Sequence, residues 1–209
     1  MLQQTQVTTV VGYFRRFIVK WPTLTSLASA NSQEVLRMWQ GLGYYRRAVH
    51  LHAAAQIIVR DGRGKVPRKI EDLVKLPGVG LYSAGAIASI AHGQCVPAVD
   101  ANAARVLARW FAIGTPLDQS KVRSRLWQLA EQLVPAADPG EFNQALMEFG
   151  SMVCTPRNPR CVRCPMVHHC RAHRMGAVSR FPVRRPKAKP RPVEHHIIAV
   201  CKRDRYLFE

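Results

Sequence analysis

The chain has 209 residues, a formal net charge of +18 and a sequence pI of about 10.6. That length buries a sizeable core, and with no run of about eighteen apolar residues it offers no membrane-spanning helix. So large a positive excess points to a polyanionic partner rather than to a neutral ligand surface.

Most of the chain reads as helices joined by short turns. Residues 3–19 place Val7, Val10, Val11, Phe14, Phe17 and Ile18 at helical spacing, and Pro22 ends that helix. Asn31 or Ser32 caps the next, with Val35, Leu36 and Trp39 inward. A glycine turn, Gly41-Leu42-Gly43, leads to a helix over 44–59, and Asp61-Gly62-Arg63-Gly64 forms a loop. A short helix near 70–75 meets Leu76-Pro77-Gly78-Val79-Gly80, and a small-residue helix follows over 82–91. Asp100 opens a helix running to about residue 113, and two more span 118–134 and 138–152. Alternating strand patterns are absent, so the predicted body is all-α.

The character changes after Cys170. Residues 177–193 hold Phe181-Pro182, Arg184-Arg185-Pro186, Pro190 and Pro192, the composition of a stiff basic linker. Residues 196–201 read as a strand, 202–205 as a turn and 206–208 as the start of a second strand. Two short strands do not stand alone, so they read as the first hairpin of a further domain.

Four cysteines, Cys154, Cys161, Cys164 and Cys170, fall within seventeen residues at spacing C-x6-C-x2-C-x5-C, while Cys95 and Cys201 stand apart. Four thiols so close form one ligand set for one metal centre. Without a signal peptide, paired disulfides are the weaker reading. Zinc ribbons pair two short knuckles, and here only Cys161 and Cys164 form one. Zinc and an iron–sulfur cube therefore both remain on spacing alone. From 154 to 193 the chain carries eleven Lys or Arg and no Asp or Glu. With no basic amphipathic helix bearing an aromatic face, nucleic acid fits this patch better than a membrane.

Leu76, Pro77, Gly78, Val79 and Gly80 sit between two helices. Glycines there let backbone amides point outward at a helix start, an arrangement that binds phosphate without reading bases. The plain alternative is an ordinary Pro-Gly turn.

With these elements placed, the chain resembles the helix–hairpin–helix DNA glycosylases that carry a [4Fe–4S] cluster, and within them the MutY-type adenine glycosylases. The matching segments are LQQTQV (2–7), GLGYYRRA (41–48), LPGVGLYSAGAI (76–87), VDAN (99–102), FNQALMEFG (142–150) and the cysteine quartet. The resemblance implies a helix–hairpin–helix module over 1–95 whose N-terminal part is missing, a helical cluster domain over 96–176, the linker over 177–193, and the start of a Nudix-like domain over 194–209. It implies one [4Fe–4S] cluster on Cys154, Cys161, Cys164 and Cys170. The implied partner is double-stranded DNA with adenine opposite 8-oxoguanine or guanine, bound by a monomer. It also implies a cytoplasmic, nucleoid-associated place if the source is bacterial, since no secretion signal is present.

By the same resemblance Asp100 stabilises the sugar cation formed when the glycosidic bond breaks; its plain role is a helix N-cap, and both hold together. Asn102 lies near the same centre, and Ala101 stands where glycine is commoner. Tyr82 lies near the flipped adenosine. Tyr44 wedges into the base stack beside 8-oxoguanine, and Gln3 and Gln4 hydrogen-bond around the lesion. Arg157, Arg160 and Arg163 contact phosphates. The related endonuclease III needs a lysine two residues after the second hairpin glycine for its lyase chemistry; Tyr82 occupies that place here. The family's catalytic acid is a glutamate two residues before the position of Met1, so the chain as written is expected to release little or no adenine. Glu34, Glu71, Glu131, Glu141 and Glu148 lie in helices whose family counterparts are not catalytic. The competing readings are an endonuclease III-like glycosylase and lyase, and a non-catalytic zinc protein that binds DNA.

Overall fold

Helix α1 (Val7–Lys20) starts later than the apolar spacing predicts, because Gln4 takes a left-handed φ of 60° and Gln6 becomes the N-cap. A left-handed residue cannot continue a right-handed helix. The computed structural model describes residues 1–185, 193–194 and the backbone of 201–202 and 205–206. Of the six apolar positions on α1, only Val10 and Phe17 are buried, while Val7, Val11, Phe14 and Ile18 stay exposed. The apolar positions at helical spacing thus cover a wider face than the seam α1 presents to its neighbours.

Phe17 sits edge-on to Trp21 at 4.8 Å and to Trp39 at 6.3 Å, the centre of the first core. Trp39 closes α3 (Ser32–Trp39), which Asn31 caps by accepting from the Gln33 amide at 2.8 Å. The sequence reading omitted α2 (Leu24–Ala28). It forms because Thr23 and Ser26 cap it reciprocally, a Thr-x-x-Ser variant of the capping box. Helix α4 (Arg46–Gly62) begins after Tyr44 rather than at it, since Tyr44 also takes a left-handed φ of 49°.

A second core joins α4 to the hairpin that follows. Ala54 and Ile58 of α4 pack with Leu73 of α5 (Ile70–Leu73), Leu76, and Ala84 of α6 (Leu81–Ala86). The helix begun by α6 widens into a π-turn over Ile87–Ala91. A Cβ on Gly85 would lie 2.0 Å from the Pro97 carbonyl oxygen, so the small-residue helix exists to let segment 96–98 cross it closely. Asn143, fully buried, fixes that crossing. Its amide donates to Val96 O and Ser89 Oγ at 2.9 Å each, and its oxygen accepts from Ala98 N at 2.9 Å.

Helix α7 (Ala101–Trp110) is the hub of the second half. Leu107 and Ala108 meet Val122, Leu126 and Ala130 of α8 (Ser120–Glu131), while Ala103 and Val106 meet Leu146 of α9 (Pro139–Met152). The packed region continues through α10 (Arg171–Arg174) to Ala177 and Phe181, both buried, so the first residues assigned to the linker belong to this core. Residues 186–192 of the linker lie outside the described residues. Near the C-terminus β1 (Cys201–Lys202) pairs antiparallel with β2 (Arg205–Tyr206). Lys202 and Arg205, predicted in the turn, therefore belong to the ladder; residues 196–200, 207 and 208 lie outside the described residues. Among the described residues the body is helical, and no helix is long and apolar enough to cross a membrane.

Candidate active site and metal centre

The four cysteines come from one excursion of chain. Cys154 follows α9, Cys161 opens a 3-10 turn, Cys164 closes it, and Cys170 is the residue before α10. All four line one small cavity with Arg109 and Trp110 behind them, and all are free thiols. Four thiols around one cavity supply the all-sulfur donor set that an iron–sulfur cluster takes. Burial pushes the Cys161 thiol up from its usual range, as do Cys154 and Cys170; burial does the same to Cys164. Several thiolates crowded there need a positive core between them.

Two arginines that sequence reading missed hold this loop. Arg109, 2 % exposed, donates to the carbonyls of Cys154 (3.2 Å), Thr155 (2.8 Å), Pro156 (3.4 Å) and Phe181 (3.0 Å), and to Cys154 Sγ at 3.2 Å. Arg105, also buried, donates from Nε to Cys154 O at 2.8 Å and from Nη2 to Asn102 Oδ1 at 2.9 Å and Gly150 O at 2.5 Å. Burial pulls the Arg105 guanidinium down from its usual value, and the charges of Cys154 and Asp100 oppose that pull. The available signal was two arginines four apart in α7, at positions otherwise filled by buried alanine, valine and leucine.

Asp100 stands where predicted, as the N-cap of α7. Its Oδ1 accepts from the Ala103 amide at 2.7 Å and its Oδ2 from Asn102 Nδ2 at 2.9 Å. A hydrogen-bonded chain thus runs from Asp100 through Asn102 and Arg105 to Cys154. The Tyr82 hydroxyl donates to Met147 Sδ at 3.4 Å, and burial, then the nearby Asp100 carboxylate, push it above its usual range. Tyr82 therefore keeps its proton near neutral pH beside a carboxylate. The structure brings Asp100, Asn102 and Tyr82 together, and Met147 joins them.

The hairpin is confirmed as a turn between α5 and α6. Gly78 is left-handed at φ 75°, and a Cβ there would strike His50 at 2.7 Å. Gly80 is extended instead and caps α6. Val79 N bonds Leu76 O at 3.1 Å, while Leu76 is buried and Pro77 lies in the turn between them. Gln3 is docked on this hairpin, its amide 3.1 Å from Ser83 Oγ and 3.4 Å from Gly78 O. Gln3 and Gln4 lie in a turn, not on a helix, and Tyr44 is 65 % exposed. Arg157, Arg160 and Arg163 are exposed on the cysteine loop around the fully exposed Val162.

Residues 1–132 match the HhH-GPD superfamily of base excision DNA repair proteins. Residues 154–170 match the iron–sulfur binding domain of endonuclease III. The chain is 52 % identical over 186 residues to the adenine DNA glycosylase of Rattus norvegicus and 53 % identical over 173 residues to that of Homo sapiens. These alignments cover 87 % and 82 % of the chain but 36 % and 32 % of the relatives, so the chain spans about a third of those proteins. Among solved structures it resembles a thermostable thymine-DNA glycosylase, with TM-score 0.76 and 32 % identity over 83 % of this chain and 80 % of that one. Family match, cysteine loop and helical body agree: this chain belongs to the HhH-GPD superfamily of base excision DNA repair proteins and carries an iron–sulfur binding domain in residues 154–170.

Proposed function

We propose that this chain is the core of an adenine DNA glycosylase that extrudes adenine from a mispair with 8-oxoguanine or guanine and hydrolyses its N-glycosidic bond. The observation that carries the reading is the Asp100 carboxylate, held through both oxygens at the start of α7 beside Tyr82. Loss of adenine leaves an oxocarbenium-like sugar, and a fixed carboxylate stabilises it as in glycoside hydrolysis. The bond is out of reach within the stack, so the base must leave it first. Tyr44, Gln3 and Gln4 fill and probe the opened duplex, and the Leu76–Gly80 hairpin with Arg157, Arg160 and Arg163 grips phosphates. The four cysteines would hold a [4Fe–4S] cluster, whose positive core would let their thiolates coexist and keep the arginine-bearing loop in shape.

A Schiff-base lyase is disfavoured. Tyr82 stands where the amine is needed, and the Lys75 ammonium is paired to Asp72 at 2.8 Å, which raises its pKa and keeps it protonated. A borohydride-trapped covalent adduct with DNA would reverse that choice.

The test has two arms. Equilibrium binding should favour a duplex with adenine opposite 8-oxoguanine over the fully paired duplex by about tenfold or more. Whatever single-turnover adenine release the mispaired duplex gives should fall by about 10²–10³ on Asp100→Asn, the loss seen when one fixed charge-stabilising group is removed. Equal binding to both duplexes, or release unchanged by Asp100→Asn, sinks the proposal. On the metal side, Cys161→Ser should lower iron content and bleach absorbance near roughly 400 nm. Undiminished iron would remove Cys161 from the ligand set.

A further inference from the structure

Arg47, in the first turn of α4, commits both terminal amino groups to acceptors outside its own helix and sets its guanidinium beside two aromatic rings, while its Nε is buried without a partner. Nη1 donates to Met1 O at 2.8 Å and to Gln3 O; Nη2 donates to Thr5 Oγ1 at 2.9 Å and to Leu42 O and Gly43 O at 3.2 Å each. Its guanidinium lies 5.4 Å from the Trp39 ring centroid and 5.5 Å from that of Tyr44. The Trp39 indole N–H also donates to Gly43 O, at 3.1 Å. One side chain thus ties the N-terminal segment 1–5 to the 42–44 turn, two stretches more than thirty residues apart in sequence.

Both tied stretches are strained at the residue that matters. Gln4 and Tyr44 are non-glycine residues at φ 60° and 49°. Such residues persist in that region only where their surroundings over-determine them. Arg47 bonds the carbonyl just before each of them, Gln3 O and Gly43 O. The Gln3 side chain adds a third tie, to the hairpin at Ser83 Oγ. The Gln4 and Tyr44 side chains remain exposed.

We propose that Arg47 is a positioning residue that sets the two duplex-probing loops against each other, so that Gln4 and Tyr44 enter DNA as one preformed unit. The inference rests on the reading of those residues as duplex-entering. A preformed probe avoids the ordering penalty at binding, and that advantage appears only where the probe is inserted. Lysine cannot substitute. Its ammonium is a point donor on a flexible stem, whereas the planar fork reaches five acceptors in two segments and stacks on Tyr44.

The experiment measures binding of wild type, Arg47→Lys, Thr5→Val, Tyr44→Ala and the Arg47→Lys/Tyr44→Ala double variant to two duplexes. One carries adenine opposite 8-oxoguanine and the other is fully paired. Arg47→Lys should leave affinity for paired DNA within about twofold, since the charge is kept, and lower the lesion preference by about tenfold. The double variant should be no worse than Tyr44→Ala alone, because Arg47 acts through the probe. A preserved lesion preference in Arg47→Lys, a parallel loss for both duplexes, or losses that multiply in the double variant overturns the proposal. Should Arg47→Lys fail to fold, Thr5→Val removes a single anchor; a smaller loss of preference supports the role and no loss refutes it. Hydrogen exchange on free protein separates the two levels of inference. Arg47→Lys should speed exchange at 2–5 and 42–45 together, and unchanged exchange sinks the clamp itself. Absence of lesion preference in wild type, with that coupled exchange present, sinks the duplex-probing reading while the clamp stands.

Discussion

Replacing Arg109 with leucine is expected to empty the cysteine loop of iron while leaving most of the helical body folded. The guanidinium is almost wholly buried and supplies donors to four carbonyls and one thiol sulfur. Leucine keeps apolar volume but no donor, so the carbonyls of Cys154, Thr155, Pro156 and Phe181 lose their shared partner. A buried carbonyl left without its donor costs roughly 1–3 kcal/mol. The loss falls unevenly. Cys154 and the chain out to Phe181 are held by Arg109, whereas the cores around Trp39 and Leu73 never touch it. Iron per chain and absorbance near about 400 nm should therefore collapse, while helical circular dichroism falls only modestly. Arg109→Lys should retain part of the iron, because an ammonium keeps the charge but spans fewer acceptors. Full iron content in the leucine variant would show that the loop needs no brace. Arg105 shares Cys154 O with Arg109, so losses at the two positions should not add.

The parts of this molecule legible in sequence are those where one residue type has one local use. The cysteine spacing, the Asp100 cap, the Gly78 turn and the order of the long helices follow from ligand chemistry, capping and periodicity. What escaped was set by tertiary approach. Arg105 and Arg109 drew no reading from the sequence, yet they point inward because the cysteine loop brings carbonyls to meet them. Gln3 and Gln4 read as helical because Val7 and Val10 continue a helical period, but the Arg47 bonds hold the preceding turn in a left-handed bend. Phe181 read as linker by its proline neighbour and its basic surroundings, although Ala172 and Ala177 leave a socket for its ring. Composition describes a segment alone, and burial depends on what a distant segment presents to it.

Gly150 ties these threads, and Gly150→Ala is expected to lower both stability and chemistry although it adds one methyl group. A Cβ there would lie 2.8 Å from Asn102 Cβ and 2.9 Å from Asn102 C and O. Two of those three atoms are backbone, so no side-chain rotation relieves the contact, and α7 and α9 must separate. Overpacking of that kind costs about 1–3 kcal/mol. For a chain of this size that is a fall in melting temperature of roughly 2–12 °C. The chemical effect is larger, because the displaced residue is Asn102, whose amide donates to Asp100 and whose oxygen accepts from Arg105, while Arg105 also donates to Gly150 O. In the proposed reaction a shift in that chain would move the carboxylate relative to the sugar, and misplacement of about 1 Å costs on the order of 10²-fold in rate. Gly12→Ala gives the opposite sign. Gly12 lies in α1 on an exposed face, its nearest neighbour for a Cβ is the mobile end of Arg16 at 3.7 Å, and alanine there should add about 0.5–1 kcal/mol of helix stability. Thermal melts of the two variants should therefore move in opposite directions. Were Gly150→Ala to melt and react like the parent, the α7–α9 contact would be looser than drawn, and the hydrogen-bonded line from Cys154 to Asp100 would not govern where the carboxylate sits.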